Sequence, residues 1–326
     1  MSSYSRPWKS FEEPLQQLKV RGLDVTNDQA ALDYLDRIGY YRLSAYWYPL
    51  RKIKLEMNDA SSEITVHRMN EFYKGAKFED AVNFYVFDKR LRLLALDALE
   101  RIEVAVRVDI AHELGKRHTF AYLESSQLDS NFVTKIRPKS GTTKHGEWLE
   151  KYEHILDRSR ETFVKHYMEK YGPPLPFWVA IEIWDFGLLS WFFSGLKNSD
   201  QRFIAEKYGV MHGRVFESWF RSMNYLRNLC AHHSRVWNRN IVDQPKLPPA
   251  NTIPDFDRFT GKADLVARSF LLFCILQWLM KQICPTSSWG DRFKQVMASF
   301  PTSASGKVGT ADMGCIDGWE TWDLWS

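Results

Sequence analysis

The 326-residue chain has only four cysteines, Cys230, Cys274, Cys284 and Cys315, and no Cys-x-x-Cys pair among them. They fall in or beside apolar helical patterns and read as free thiols of a reducing cytosol rather than a disulfide framework. No cluster of metal-ligating carboxylates and no Cys/His spacing is visible, so no metal or other cofactor is expected. The opening MSSYSRPWKSFEEPL lacks the apolar core of a signal peptide. The most apolar run, FLLFCILQWLM at 270–280, is too short to cross a bilayer, is flanked by Arg268 and Lys281, and is broken by Gln277. A buried helix, a cytoplasmic location and no membrane partner are the expectations. Strand-like alternation is confined to EITVHRM at 63–69, and no repeat of solenoid period is present.

Aromatics, by contrast, are abundant: 15% of residues, thirteen of them Trp. With 44% hydrophobic and 26% charged residues, the chain can bury a full core and is not a disordered segment. Helical periodicity dominates. Asn27 or Thr26 caps DQAALDYLDRI, and IGYYRLSAYWYPLRKIK interleaves five aromatics with Arg42, Arg51, Lys52 and Lys54, a pattern that suits RNA stacking but is read first as a segment docked on a helical core. A long helix is predicted from about Phe84 to Leu114, with i, i+4 pairs Asp88/Arg92, Asp97/Arg101 and Glu103/Arg107. Residues 137–147 read as a polar loop or hairpin tip, and KYEHILDRSRETFVKHYMEKYG as one amphipathic helix ended by Gly172. FWVAIEIWDFGLLSWFFSGL belongs in the core. Trp319, Trp322 and Trp325 predict that the C-terminal tail docks. The expected architecture is all-α: an N-terminal helical and aromatic extension (1–79), a helical core (80–285) and a docked tail (286–326), forming one unit.

The net charge of +4 is unevenly spread: Arg202 to Val242 holds seven Lys or Arg against two Glu. Such a window suits a polyanion partner or a solvated basic helix. Within it lies LRNLCAHHSRVWNR, 226–239, without an acidic residue. On a helix from Phe216 to Trp237, the residues Phe216, Trp219, Met223, Leu226 and Cys230 form an apolar stripe. Arg221, Asn224, Asn228, His232 and Arg235 form a second, roughly opposite one. His233 falls nearer Leu226 and Leu229 and reads as a packed structural histidine. Arg227 points some 140° from His232 on a straight helix. Either the helix ends or distorts near Ala231, or a second copy of the chain completes the site; an ion pair to Glu103 is the plainer fate for Arg227.

LRNLCAHHSRVWNR resembles the signature of the bacterial abortive-infection Abi-like family (the AbiD/AbiF group), whose members are placed in the HEPN superfamily of helical ribonucleases. GLDVTNDQAALDYLDRIGYYRLSAYWYPLR, FDKRLRLLALDALERIEVAVRVDIAHELG, PFWVAIEIWDFGLLSWFFSGL and MGCIDGWETWDLW match in the same order, so the resemblance spans nearly the whole chain. It implies a HEPN-like helical bundle, a homodimer through the motif helix, and a phage-defence or toxin–antitoxin role. The family motif, Arg, a polar residue, three more and His, falls on Arg227, Asn228 and His232, with His233 fitting a looser spacing. Arg107 and His112 form a second match, ranked lower because Glu103 explains Arg107.

The reaction so implied is metal-independent cleavage of RNA. A histidine takes the 2′-OH proton, Arg227 neutralises the phosphoryl oxygens, Asn228 orients the histidine or the phosphate, and a 2′,3′-cyclic phosphate and a 5′-OH end result. Arg221, Arg235 and Arg239 are the candidate RNA-binding residues, and a bound non-coding or antitoxin RNA, or a partner protein, is expected to restrain activity. The alternative is a non-catalytic RNA-binding scaffold that holds a structured non-coding RNA. A third reading, a helical interaction protein, predicts no salt-dependent RNA affinity.

Overall fold

The computed structural model describes residues 7–58 and 63–326; the first six residues of the expected N-terminal extension lie outside them. Helices start where the sequence supplies acceptors. The Asn27 side chain accepts from Ala30 N and opens α2 (Asp28–Ile38), which follows α1 (Glu12–Val20). Gly39, at φ 89°, turns the chain sharply into α3 (Tyr40–Trp47), a conformation that costs a side-chain-bearing residue more. The aromatic segment therefore begins as a helix, with Tyr46 and Trp47 buried.

The isolated strand expected at 63–69 has a partner. β1 (Arg51–Asn58) and β2 (Glu63–Phe72) pair antiparallel, with Leu55 opposite Val66 and Lys54 opposite His67. Residues 51–54, expected as the end of the docking segment, become strand because a lone strand leaves its backbone groups unpaired.

The long helix, α4 (Phe78–Gly115), starts six residues before the expected Phe84. The Asp80 carboxylate accepts from Lys77 N at 3.0 Å, and Glu79 and Asp80 favour the positive end of the helix dipole. All three predicted i, i+4 ion pairs form on it. α4 is the axis against which α3 and later helices pack, among them α10 (Asn198–Lys207), α11 (Gly213–Ala231), α14 (Ser269–Ile283) and α15 (Trp289–Ala298).

The single helix expected between Lys151 and Gly172 is two. After the short α5 (Ser130–Thr134), α6 (Lys144–Arg158) and α7 (Thr162–Tyr171) are separated by extended residues at Ser159 and Glu161. The Ser159 hydroxyl accepts from Glu161 N at 3.4 Å, a local bond that competes with the helix. The apolar stretch 177–196 lies in the core but is also split, into α8 (Phe177–Ala180) and α9 (Phe186–Ser194). The Asp185 carboxylate caps α9 by accepting from Leu188 N at 2.7 Å. Between them Trp184 packs its ring 4.7 Å from Trp148 and 4.9 Å from Phe192.

Two short helices, α12 (Pro254–Asp257) and α13 (Ala263–Val266), lead into the apolar α14. Gln277, the polar break in that run, donates to Leu324 O at 3.1 Å and so ties down the tail. Trp319, Trp322 and Trp325 are buried there, Trp325 stacking 4.7 Å from Phe293. The fold is mostly all-α, and buried residues from Leu15 to Trp325 form one continuous cluster. No described helix is long and apolar enough to cross a membrane.

Candidate active site

α11 buries Phe216, Trp219, Met223, Leu226 and Cys230, the predicted apolar stripe. His232 keeps to the helical path, since its N–H donates to Asn228 O at 3.0 Å. There the helix stops: α11 ends at Ala231, the first of the two alternatives, and does not run on to Trp237. His233 N donates to Cys230 O at 3.1 Å and Ser234 N to Leu229 O at 2.8 Å, the paired bonds of a Schellman closure. His233 occupies the left-handed position of that closure, at φ 55°, where glycine is usual and a β-carbon costs about 1 kcal/mol or more. Its side chain is exposed, not packed against Leu226 and Leu229. Helical periodicity cannot foresee a turn that rotates the chain off the helix.

The turn is clamped by α3 and α4. The buried Asp88 carboxylate accepts from Trp237 N at 2.8 Å, from Val236 N at 3.1 Å and from the Tyr46 hydroxyl at 2.7 Å, and it pairs with Arg92. Arg42 donates to His233 O at 2.8 Å, Arg92 to Ser234 O at 3.4 Å, and Arg235 to Ala45 O. Trp237 stacks on Phe84, with ring centres 5.3 Å apart. Asp88 was legible only as one half of an i, i+4 pair; nothing local in the sequence announces that it caps a loop 148 residues away. Beneath the motif, burial and then the Asp88 charge push the Cys230 thiol up to about 12, so it is no nucleophile near neutral pH.

Arg227 donates to Asn228 Oδ1 at 3.2 Å and has no carboxylate partner within ion-pair range among the described residues. The expected ion pair to Glu103 is therefore replaced by a longer-range attraction. Burial holds the Glu103 carboxyl above its ordinary value, and the charges of Arg107 and Arg227 both draw it back down. The two candidate arginines thus share one carboxylate across the contact between α4 and α11. Arg107 is held by ion pairs and a carbonyl, with Glu103 at 2.6 Å, Glu182 at 3.6 Å and Trp184 O at 2.9 Å, while its buried Nε has no partner among the described residues. His112 is exposed on the same helix, five residues on. Asn224, one turn before Asn228, buries an Oδ1 with no partner and lies against Gly187, where an added Cβ would stand 3.6 Å from that oxygen.

The basic window is narrower than its composition. Arg202 pairs with Glu206, Lys207 with Asp109, Arg214 with Glu217, and Arg221 reaches Asp243 at 3.9 Å. Arg227, Arg235 and Arg239 have no carboxylate partner among the described residues, and they cluster around the end of α11. Arg239 Nε donates to the Tyr225 hydroxyl at 3.2 Å, Arg235 is half-buried, and Arg221 is exposed beyond the cluster. Among the described residues no group of three or more His, Cys, Asp or Glu is placed to hold a metal ion.

A family model described as Abi-like protein matches residues 33–238, from α2 through the motif turn. No curated protein and no solved structure matches the chain.

Proposed function

Because the chain belongs to the Abi-like protein family, we propose that it serves abortive infection or a toxin–antitoxin system as a HEPN-type endoribonuclease. The observation that carries this reading is the end of α11. An exposed His232 and a strained His233 stand there on a turn held from below, and Arg227, Arg235 and Arg239, which flank the turn in the chain, have no carboxylate partner within ion-pair range among the described residues. In the proposed reaction the His232 imidazole takes the 2′-OH proton, O2′ bonds to phosphorus as the bond to O5′ breaks, and a proton returns to O5′. Arg227 stabilises the phosphoryl oxygens and Asn228 positions the guanidinium, as its Oδ1 contact allows.

His232 stays on the helical path, so the Arg227 and His232 side chains of one chain diverge by about 140°. A second copy supplying one of the two groups resolves this. Val104 and Val108, exposed on α4 on either side of Arg107, give such a copy an apolar strip to cover. A bound RNA or partner protein restrains the activity in the resting cell.

A second reading, a non-catalytic RNA-binding scaffold, draws support from the Glu103 carboxylate, whose charge acts on Arg227 and disfavours a phosphate there. Labelled RNA separates the two. For the nuclease, wild type cleaves it and leaves 2′,3′-cyclic phosphate and 5′-OH ends, while His232→Ala retains binding and loses cleavage. Binding without any cleavage establishes the scaffold, and 3′-OH ends contradict the proposed chemistry.

A further inference from the structure

Just past the motif turn, distant parts of the chain enclose a cavity of about 300 Å³. Arg68 from β2, Arg235 and Asn238 from the segment after α11, Arg268 at the start of α14, and Lys307 and Asp312 from the tail line it. Four cations thus face one carboxylate, four minus one leaving an excess of three positive charges. None of the four has a carboxylate partner within ion-pair range among the described residues.

Their donors go instead to backbone carbonyls. Arg68 Nη1 reaches Tyr48 O at 3.3 Å, Pro49 O at 3.0 Å and Arg51 O at 3.1 Å; Arg268 reaches Asn238 O at 3.4 Å; Arg235 reaches Ala45 O. A carbonyl satisfies a donor without cancelling its charge, so the mutual repulsion of the cations remains. Burial lowers the Arg235 guanidinium pKa, and Arg239 adds to the effect. The Asn238 Oδ1 is buried with no donor. The aromatic faces are already taken: Arg68 and Arg51 lie 5.0 and 5.7 Å from the Tyr48 ring, and Lys307 lies 5.3 Å from that of Tyr73. The cavity therefore offers a surplus of positive charge, with the Asn238 Oδ1 and the Asp312 carboxylate as acceptors, and not a stacking platform.

We propose that this cavity binds the phosphoryl group and an adjoining sugar hydroxyl of a nucleotide, either free or at the end of an RNA strand. The phosphoryl oxygens neutralise Arg68, Arg235, Arg268 and Lys307, and the hydroxyl donates to Asn238. Arg268 and Lys307 lie beyond the stretch matched by the family model, and the proposal does not depend on RNA cleavage.

Isothermal titration of the full chain with inorganic phosphate, adenosine 5′-monophosphate and two RNA oligonucleotides of one sequence, ending in 5′-phosphate or 5′-hydroxyl, tests it. Saturable binding of the monophosphate is expected. It should weaken roughly tenfold or more in Arg268→Gln/Lys307→Ala and stay unchanged in Lys170→Ala, which removes an exposed lysine elsewhere. Lys307→Ala alone alters an exposed side chain and should show part of the loss in a folded protein. If the end of an RNA is the ligand, the 5′-phosphorylated strand binds more tightly than its 5′-hydroxyl twin and the double variant abolishes the difference. If a free nucleotide is the ligand, the twins bind alike. No saturable binding by wild type, binding of inorganic phosphate but not of the monophosphate, or equal affinities in wild type and the folded variants overturns the assignment. RNA cleavage assayed on the same preparations keeps the two proposals apart: cleavage without nucleotide binding removes only the cavity site, and binding without cleavage only the nuclease.

Discussion

His233 holds a backbone conformation that disfavours any β-carbon, at a position where glycine would be free of strain. His233→Gly is therefore expected to stabilise the protein by about 1 kcal/mol in urea unfolding, and His233→Ala to bring no such gain. A gain in stability accompanied by a loss of RNA cleavage would mark the histidine as kept for function. A second histidine makes a prediction in pH. His145 is buried and donates Nε2–H to Tyr122 O at 2.8 Å; burial lowers its pKa, the carbonyl opposing. The unfolded chain then binds the proton first, so stability is full above the ordinary histidine value of about 6.5 and is lost as pH falls below it. Thermal unfolding between pH 7 and 5 should show this acid limb, and His145→Gln should flatten it. At this scale the sequence is legible where partners are local. Glu103/Arg107 follows from helix spacing alone, whereas the exposure of His233 depends on Arg42, Asp88 and Arg92, which no window around the motif contains.

The elements α3 and α4 decide where α11 ends, through one carboxylate. Asp88→Ala strands two backbone N–H groups, the Tyr46 hydroxyl and a buried guanidinium together, and should cost about 3–5 kcal/mol. Amide exchange at Val236 and Trp237 should quicken before the core of α11 loosens, a site-resolved readout that a general loss of packing would not give. The existence of the long helices was readable because their apolar stripes are regular, as in α4 and α11. Their ends were readable only in part: α4 stops within a residue of the expected Leu114 and α11 at Ala231, one of two alternatives, while the start of α4 and the break between α6 and α7 were not. The Ser159 hydroxyl, the Asp80 cap and the Asp88 clamp each outweigh the periodic pattern over a few residues. The hairpin shows the same limit: β2 alternates, but β1 is strand only because β2 lies beside it.

Across the whole molecule, the tail closes the core that α14 and α15 leave open. Deleting residues 318–326 removes three buried tryptophans and Leu324 from Phe270 and Phe293, a loss on the order of 5 kcal/mol or more. The truncated chain should unfold at lower urea and aggregate in light scattering. Charge behaves differently from packing at this scale. Composition marked a basic window, but Asp109 and Asp243, distant in sequence or beyond its edge, offset Lys207 and Arg221, and within that window the arginines without a carboxylate partner among the described residues are those around the motif turn. Those arginines serve RNA cleavage only if a guanidinium and an imidazole meet, and on one helix they point apart. The most direct measurement is RNA cleavage by an equimolar mixture of Arg227→Ala and His232→Ala chains, refolded together. If two copies build each site, either variant alone is silent and the mixture recovers cleavage with 2′,3′-cyclic phosphate ends. A mixture as silent as its components, beside an active wild type, would contradict the shared site, and a silent wild type would contradict the nuclease itself.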